Sequence, residues 1–146
     1  MADHTPYRAI VIGGSLGGLF AAAALREIGW TVDVYERSVN ELDIRGGGIV
    51  MQRDLLEAFR FAGIAHGPQF SVPSRDRQFL DASGAARFRQ RMLQAQTSWN
   101  VLYNTLRTGL PEGVVHAGLA LSGIEQDGAR VEAILSNGER ARAHLF

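Results

Sequence analysis

The sequence predicts an α/β fold in which a Rossmann-like parallel sheet is interrupted by a short β excursion and followed by a C-terminal β-meander. Three observations carry that expectation. An apolar run, Ala9-Ile10-Val11-Ile12, enters the glycine cluster Gly13-Gly14-Ser15-Leu16-Gly17-Gly18. An alanine-rich stretch of helical periodicity follows, and a second apolar run from Trp30 to Tyr35 ends on Glu36. In the last third, Asp127-Gly128 and Asn137-Gly138 separate β-rich runs, and both dipeptides are strong hairpin signals.

Strand, tight turn, helix and parallel strand with an acidic end is the arrangement by which a doubly wound sheet holds a dinucleotide. The first N–H groups of a helix lack internal partners, and the helix dipole favours an anion there, so a pyrophosphate suits the turn. Gly13 is placed to make the sharp exit from the strand, and Gly18 to let the helix lie close to the sheet. Glu36 stands twenty-three residues after Gly13, a spacing at which a carboxylate accepts hydrogen bonds from a ribose diol. The strict G-x-G-x-x-G pattern fails at its second glycine, which is Ser15. A serine there crowds a phosphate with its Cβ and offers a hydroxyl donor in return.

The same serine opens a second reading, because Gly13-Gly14-Ser15-Leu16-Gly17 also satisfies G-x-S-x-G, the nucleophile elbow of serine hydrolases. An elbow needs strands and an oxyanion loop before it, and only fourteen residues precede Ser15. His66, His116 and His144 lie downstream, yet no upstream segment supplies the second oxyanion N–H. A ligand-free glycine turn is the third reading, and it leaves Glu36 without a purpose.

At 146 residues, with 46% hydrophobic and 21% charged residues, the chain suits one domain with a sizeable core. A formal net charge of zero argues against broad electrostatic capture of nucleic acid or of an anionic membrane. The absence of cysteine excludes disulfides, thiolate metal sites and a cysteinyl link to a cofactor. No apolar run approaches the roughly 18 residues of a membrane span, and the first six residues are too short for a secretory signal, so the expected location is cytoplasmic. His66 and His116 stand alone without metal-ligand spacing, and no metal is expected.

Along the chain, a first helix is expected over residues 16–28, with Leu16, Leu19, Phe20, Ala23 and Ile28 as its apolar stripe and Gly29 as its stop. A polar connection over 38–43 leads to Arg45-Gly46-Gly47-Gly48, then to an apolar Ile49-Val50-Met51 and a short helix over 53–62 ended by Gly63. The glycine triplet reads either as a flexible turn or, with Arg45 beside it, as a loop suited to a phosphate or flavin oxygen. Pro68 and Pro73 break the chain, and short strands follow over 77–80 and 86–89, joined by a turn at Asp81-Ala82-Ser83-Gly84. Arg75, Arg77, Arg87, Arg89 and Arg91 make this the most basic part of the sequence, with a solvated face as the commoner explanation and an acidic substrate or nicotinamide phosphates as the alternative. Ser98 is a plausible N-cap for a helix to Leu110, whose stripe is Trp99, Leu102, Tyr103, Leu106 and Leu110. Strands are expected over 113–118, 119–126, 129–135 and 140–146. Three segments result: 1–66, the first part of a nucleotide-binding domain; 67–97, an excursion contributing to a substrate domain; and 98–146, the nucleotide-binding domain continued.

The run from Val11 to Leu19, the ending Asp33-Val34-Tyr35-Glu36-Arg37-Ser38, the loop Arg45-Gly46-Gly47-Gly48-Ile49 and the late meander resemble the N-terminal part of FAD-dependent aromatic hydroxylases of the para-hydroxybenzoate hydroxylase type. The glycine-to-serine variant is most similar to dihydroxypyridine hydroxylase-like members. The resemblance spans essentially the whole chain, with specific motifs up to Gly48. It implies that Gly13, Gly14, Ser15, Leu16 and Gly18 hold the FAD pyrophosphate, that Glu36 holds the adenosine ribose with Arg37 beside it, and that Arg45 and Gly48 lie against the cofactor near its phosphates. An arginine of the family's R-x-x-L-x-x-x-L helix is replaced, on the register of Leu106 and Leu110, by Tyr103, whose phenol could still donate one hydrogen bond.

What the resemblance implies for function is a flavin monooxygenase that hydroxylates an aromatic or N-heteroaromatic substrate with NAD(P)H and O2, the flavin carrying the chemistry. No side chain here is expected to serve as a catalytic residue. Members of the family continue past the meander into further flavin-binding and substrate-covering elements, so the sequence reads as truncated, with residues 145–146 opening the next strand. Its expected partners are a small aromatic substrate and either a second copy or the remainder of a split chain. A remnant without catalytic activity is the other reading of the truncation.

Overall fold

The computed structural model describes residues 7–39, 47–128 and 130–144. Strand β1 (Arg8–Ile12), helix α1 (Leu16–Glu27) and strand β2 (Thr31–Glu36) open the chain. Strand β3 (Gly48–Val50), helix α2 (Arg53–Phe61), a 3-10 turn (Pro68–Phe70), strands β4 (Val72–Leu80) and β5 (Ala86–Ser98) and helix α3 (Trp99–Gly109) follow. Strand β6 (Val115–Ala117) and the strands β7 (Leu121–Asp127), β8 (Arg130–Leu135) and β9 (Arg140–Ala143) complete it.

β1, β2 and β6 form a parallel sheet in that order, with Ala9 beside Val32, Val11 beside Val34 and Tyr35 beside His116. Alternate residues of a strand point to opposite faces, and here both faces are covered. Ala9, Val32 and Val34 pack under Leu19, Ala22 and Ala23 of α1, Leu102 and Leu106 of α3 and Phe59 of α2. Ile10 and Tyr35 face the other way, onto Val131, Ala133, Leu135, Ala141 and Ala143 of the antiparallel β7–β8–β9 sheet. The unbroken run Ala9-Ile10-Val11-Ile12 thus reflects a strand buried on two sides.

Helix α1 is shorter than the sequence suggests. Its C-cap is Ile28, which is 58% exposed and belongs to no apolar stripe. Gly29, at φ +89°, donates to the carbonyl of Arg26, and Trp30 donates to that of Leu25, a paired stop that needs a left-handed residue. Ser98 caps α3 as expected, its Oγ accepting from the N–H of Val101 at 3.3 Å. The helix ends at Gly109 with Leu110 as C-cap, before Pro111.

The excursion departs most from expectation. Two four-residue strands become β4 and β5, of nine and thirteen residues, in the antiparallel order β3–β5–β4. Pro73 does not break the chain but sits within β4, opposite Ala95, where an edge strand tolerates a missing N–H. The stretch from Gln90 to Thr97 carries little alternation and few β-formers, which hid most of β5. At the tip, Asp81 Oδ1 accepts from Ser83 N, Ser83 Oγ and Ala85 N. The five arginines are exposed, with Arg87 pairing with Asp81 and Arg89 with Asp76. The strand expected over 113–118 is only Val115–Ala117, and the first meander strand begins at Leu121 rather than at residue 119.

Candidate functional site

Parallel pairing of β1, β2 and β6 puts their carboxyl ends on one edge, and the residues singled out from the sequence gather there. Gly13, at φ +105°, continues the ladder by donating its N–H to Tyr35 O at 2.8 Å and then turns the chain into α1. A side chain at Gly18 would drive its Cβ into the carbonyl oxygen of Gly13, so close packing of α1 on the turn excludes every other residue. Ser15 is the N-cap, exposed and in extended conformation, and its hydroxyl makes no capping bond. Among the described residues, the backbone N–H groups of Ser15, Leu16, Gly17 and Gly18 have no hydrogen-bond partner. Four such donors at the positive end of a twelve-residue helix make an anion cradle.

Glu36 closes the cradle in a way the spacing alone did not reveal. Its Oε2 accepts from Gly14 N at 2.7 Å and its Oε1 from Ser38 N at 2.8 Å. Burial of the carboxyl favours the neutral acid, but the Ser38 and Gly14 amides outweigh it, and with the Arg37 charge they hold its pKa below the ordinary value. Gly14 is glycine for the same reason: an added Cβ would stand 2.9 Å from Glu36 Cβ. A carboxylate has about four lone-pair sites, so two stay available for a vicinal diol.

The structure brings Gly13, Gly14, Ser15, Leu16, Gly18 and Glu36 together, with Arg37 exposed just beyond. Gly48 opens β3 opposite Ser98, and Trp99 N donates to Gly47 O, so the glycine loop ends against the start of α3. Arg45, with Gly46, lies outside the described residues, as do residues 40–43 of the polar connection and the strand start at 145–146. Tyr103 is 5% exposed, within the helix-side core and stacked on Trp99 at 4.9 Å.

The nucleophile elbow is not what forms at Ser15. Its φ of −78° and ψ of −179° are unstrained, and no described residue other than glycine has positive φ. None of the three downstream histidines serves as its base. His66 stacks on Phe70, His116 Nε2 lies 2.9 Å from Asp33 Oδ1, and His144 Nδ1 accepts from Arg8 N. Asp33 also accepts from the Arg8 guanidinium at 2.7 and 3.0 Å, so its carboxylate ties together all three parallel strands.

Fold and site together define an α/β unit with an anion-accepting turn at the carboxyl edge of its parallel sheet. No family model matches the chain. Over 141 residues it is 35% identical to 2,6-dihydroxypyridine 3-monooxygenase of Paenarthrobacter nicotinovorans, a match covering 96% of this chain and 35% of that protein. The structure of 2,6-dihydroxypyridine-3-hydroxylase from Arthrobacter nicotinovorans superposes with a TM-score of 0.83 at 34% identity, over 97% of this chain and 36% of the other. Klebsiella pneumoniae HpxO, solved with FAD and uric acid, superposes with a TM-score of 0.76 at 25% identity, over 95% and 38%. The chain is therefore homologous to FAD-dependent aromatic hydroxylases, and it spans a little over a third of their length. No helix among the described residues is long and apolar enough to cross a membrane.

Proposed function

We propose that this chain is the FAD-binding portion of a flavin-dependent monooxygenase that hydroxylates an aromatic or N-heteroaromatic ring with NAD(P)H and O2. One observation carries the reading: four unpartnered amides at the start of α1 stand beside a carboxylate already anchored on the same turn. The relatives' heteroaromatic substrates, a dihydroxypyridine and uric acid, support the substrate class.

In this reading the N–H groups of Ser15 to Gly18 receive the pyrophosphate, and the Ser15 hydroxyl adds a donor where a second glycine is usual. Glu36, ionised throughout the physiological range, accepts from the ribose diol while keeping its bond to Gly14. Arg37 and Arg45 supply positive charge near the phosphates. Bound flavin supplies the redox and oxygen-transfer chemistry. The chain's own residues bind and orient it, and none is assigned as acid, base or nucleophile. Residues 1–66 and 98–146 form the nucleotide-binding part and 67–97 lead toward a substrate-covering part, with β3 of the first segment paired to β5 of the excursion in a sheet separate from the parallel one. The location is cytoplasmic, and the remaining partner is a second copy or the rest of a longer chain.

Titration of the purified chain with FAD, followed by quenching of flavin fluorescence, tests the reading. Saturable but weak binding is expected, weakened further by Glu36→Gln. A chain that binds neither FAD nor ADP would end it.

A further inference from the structure

A cavity of about 380 Å3 opens between the meander and the first two strands, on the face of the parallel sheet away from the helices. Its walls are Arg8 of β1, Tyr35 of β2, Glu132 of β8, and Arg140, Ala141 and Arg142 of β9. A volume of this order is ordinary for a small-molecule site. Tyr35 is 7% exposed, packed against the apolar residues of the meander and stacked on His116, yet its hydroxyl has no hydrogen-bond partner among the described residues. Thr97 Oγ1 and Asn100 Oδ1 are unpaired as well, but they are sealed from water, whereas the Tyr35 hydroxyl is not. A buried phenol usually finds a partner, so an unpaired one bordering a cavity calls for an explanation.

Donors outnumber acceptors in these walls. Arg8 bonds to Asp33 through Nε and Nη2, and Arg142 to Glu132 through Nε. Nη1 of Arg8 and both Nη atoms of Arg142 are left without a partner among the described residues. Glu132, the one carboxylate among the described wall residues, is already bonded to Arg140 and Arg142, and Arg140 bonds also to Glu125. Burial and the Asp33 charge push the pKa of the Tyr35 phenol above its ordinary value, with Glu139 acting in the same sense against Arg8, so the group keeps its proton and stays a donor at neutral pH. Guanidinium groups only donate, and their planar forks match the paired oxygens of a carboxylate.

We propose that this cavity is a binding site for a small organic anion, whose carboxylate accepts from the Tyr35 hydroxyl and from the free N–H groups of Arg8 and Arg142. The site is separate from the cradle at α1. Tyr35 serves the glycine turn only through its carbonyl, which accepts from Gly13 N, while its ring packs on the meander.

Benzoate is the probe, followed by amide chemical shifts of the nitrogen-15-labelled chain. Saturable shifts are expected at Arg8, Ala141 and Arg142, with Gly14 to Gly18 unmoved. Tyr35→Phe removes one oxygen and no packing, so the ligand-free melting temperature should stay or rise. Benzoate should bind it about tenfold more weakly, the loss of one hydrogen bond to a charged group, and ADP affinity should not change. Arg142→Gln leaves Glu132 bonded to Arg140 and should weaken benzoate to a similar degree. Absence of saturation overturns the proposal, and so do equal shifts at the exposed arginines of the β4–β5 hairpin, the sign of general attraction for anions. Unchanged benzoate affinity in Tyr35→Phe overturns it too, as does a lower melting temperature with ADP weakened alongside, which would place a partner for the hydroxyl inside the fold. The FAD reading is judged separately, by ADP at the cradle.

Discussion

The glycine turn and the β4–β5 hairpin are built from opposite constraints. Around the turn, backbone meets backbone and carboxylate: Gly18 lies against the Gly13 carbonyl, and Gly14 against Glu36. Along the hairpin, Val72, Phe79, Leu80, Phe88 and Leu93 all stand exposed, and Phe79 and Phe88 touch only across the strand pair. In the first region each residue type is dictated by atoms a few ångströms away. In the second the chain dictates little beyond the pairing, so the hairpin's large apolar side chains contribute almost nothing to the stability of this chain. Tightness marks the site, and slack marks a surface.

The comparison breaks most readily at Gly18. Gly18→Ala forces a Cβ into a backbone oxygen that cannot move without unseating α1 from β1, and should destabilise the fold by about 3 kcal/mol. A thermal unfolding midpoint within a degree of wild type would show that the turn is looser than drawn. Next in size is Glu36→Gln, which leaves one amide oxygen where two carboxylate oxygens accepted N–H groups, at a cost of about 1 to 2 kcal/mol. The same residue sets an acid limit. Its folded pKa lies below the unfolded value, so the unfolded chain binds the proton first as pH falls. The stabilisation is complete above the ordinary carboxylate range of about 4 and is lost as pH drops through the folded pKa. Denaturant midpoints measured between pH 7 and pH 3 should therefore fall less steeply for Glu36→Gln than for wild type.

Arg140→Ala should have a smaller effect that depends on salt. Glu125 and Glu132 face each other across β7 and β8, and Arg140 bonds to both, while Arg142 also bonds to Glu132. Like charges opposed on neighbouring strands repel, so removing Arg140 should lower the melting temperature at low ionic strength and lower it less as salt is added. A salt-independent loss would point to packing instead. Smallest of all, Phe88→Ala on the exposed hairpin should shift stability by about 0.5 kcal/mol and leave FAD affinity unchanged. A large loss there would mean that the hairpin is not the slack region described.

How legible each region was follows from the same contrast. The strand–turn–helix–strand at the start could be read because both faces of β1 and β2 are buried, which writes the strands as apolar runs, and because a left-handed Gly13 and a crowded Gly18 leave glycine as the fitting residue. The caps at Ser98, Gly29 and Gly63 were equally plain. What could not be read was contact between side chain and distant backbone. Nothing in the spacing of Gly14 and Glu36 announced that the carboxylate folds back onto the Gly14 amide, or that Gly14 is glycine for that reason. The length of β5 was hidden because residues 86–91 are all exposed and, of the rest, only Thr97 is buried, which leaves no regular alternation in the sequence. Tyr103 matched a helix register, and its ring is buried against Trp99.

The claim on which the rest depends is that the free amides at the start of α1 receive a pyrophosphate while Glu36 takes the adjoining diol. Amide chemical shifts of the nitrogen-15-labelled chain, followed through a titration with ADP, address it residue by residue. The account predicts saturable shifts centred on Gly14 to Gly18 and Ser38, lost together in Glu36→Gln at the same ADP concentrations. Shifts confined to the exposed arginines of the hairpin, with those amides unmoved, would contradict it.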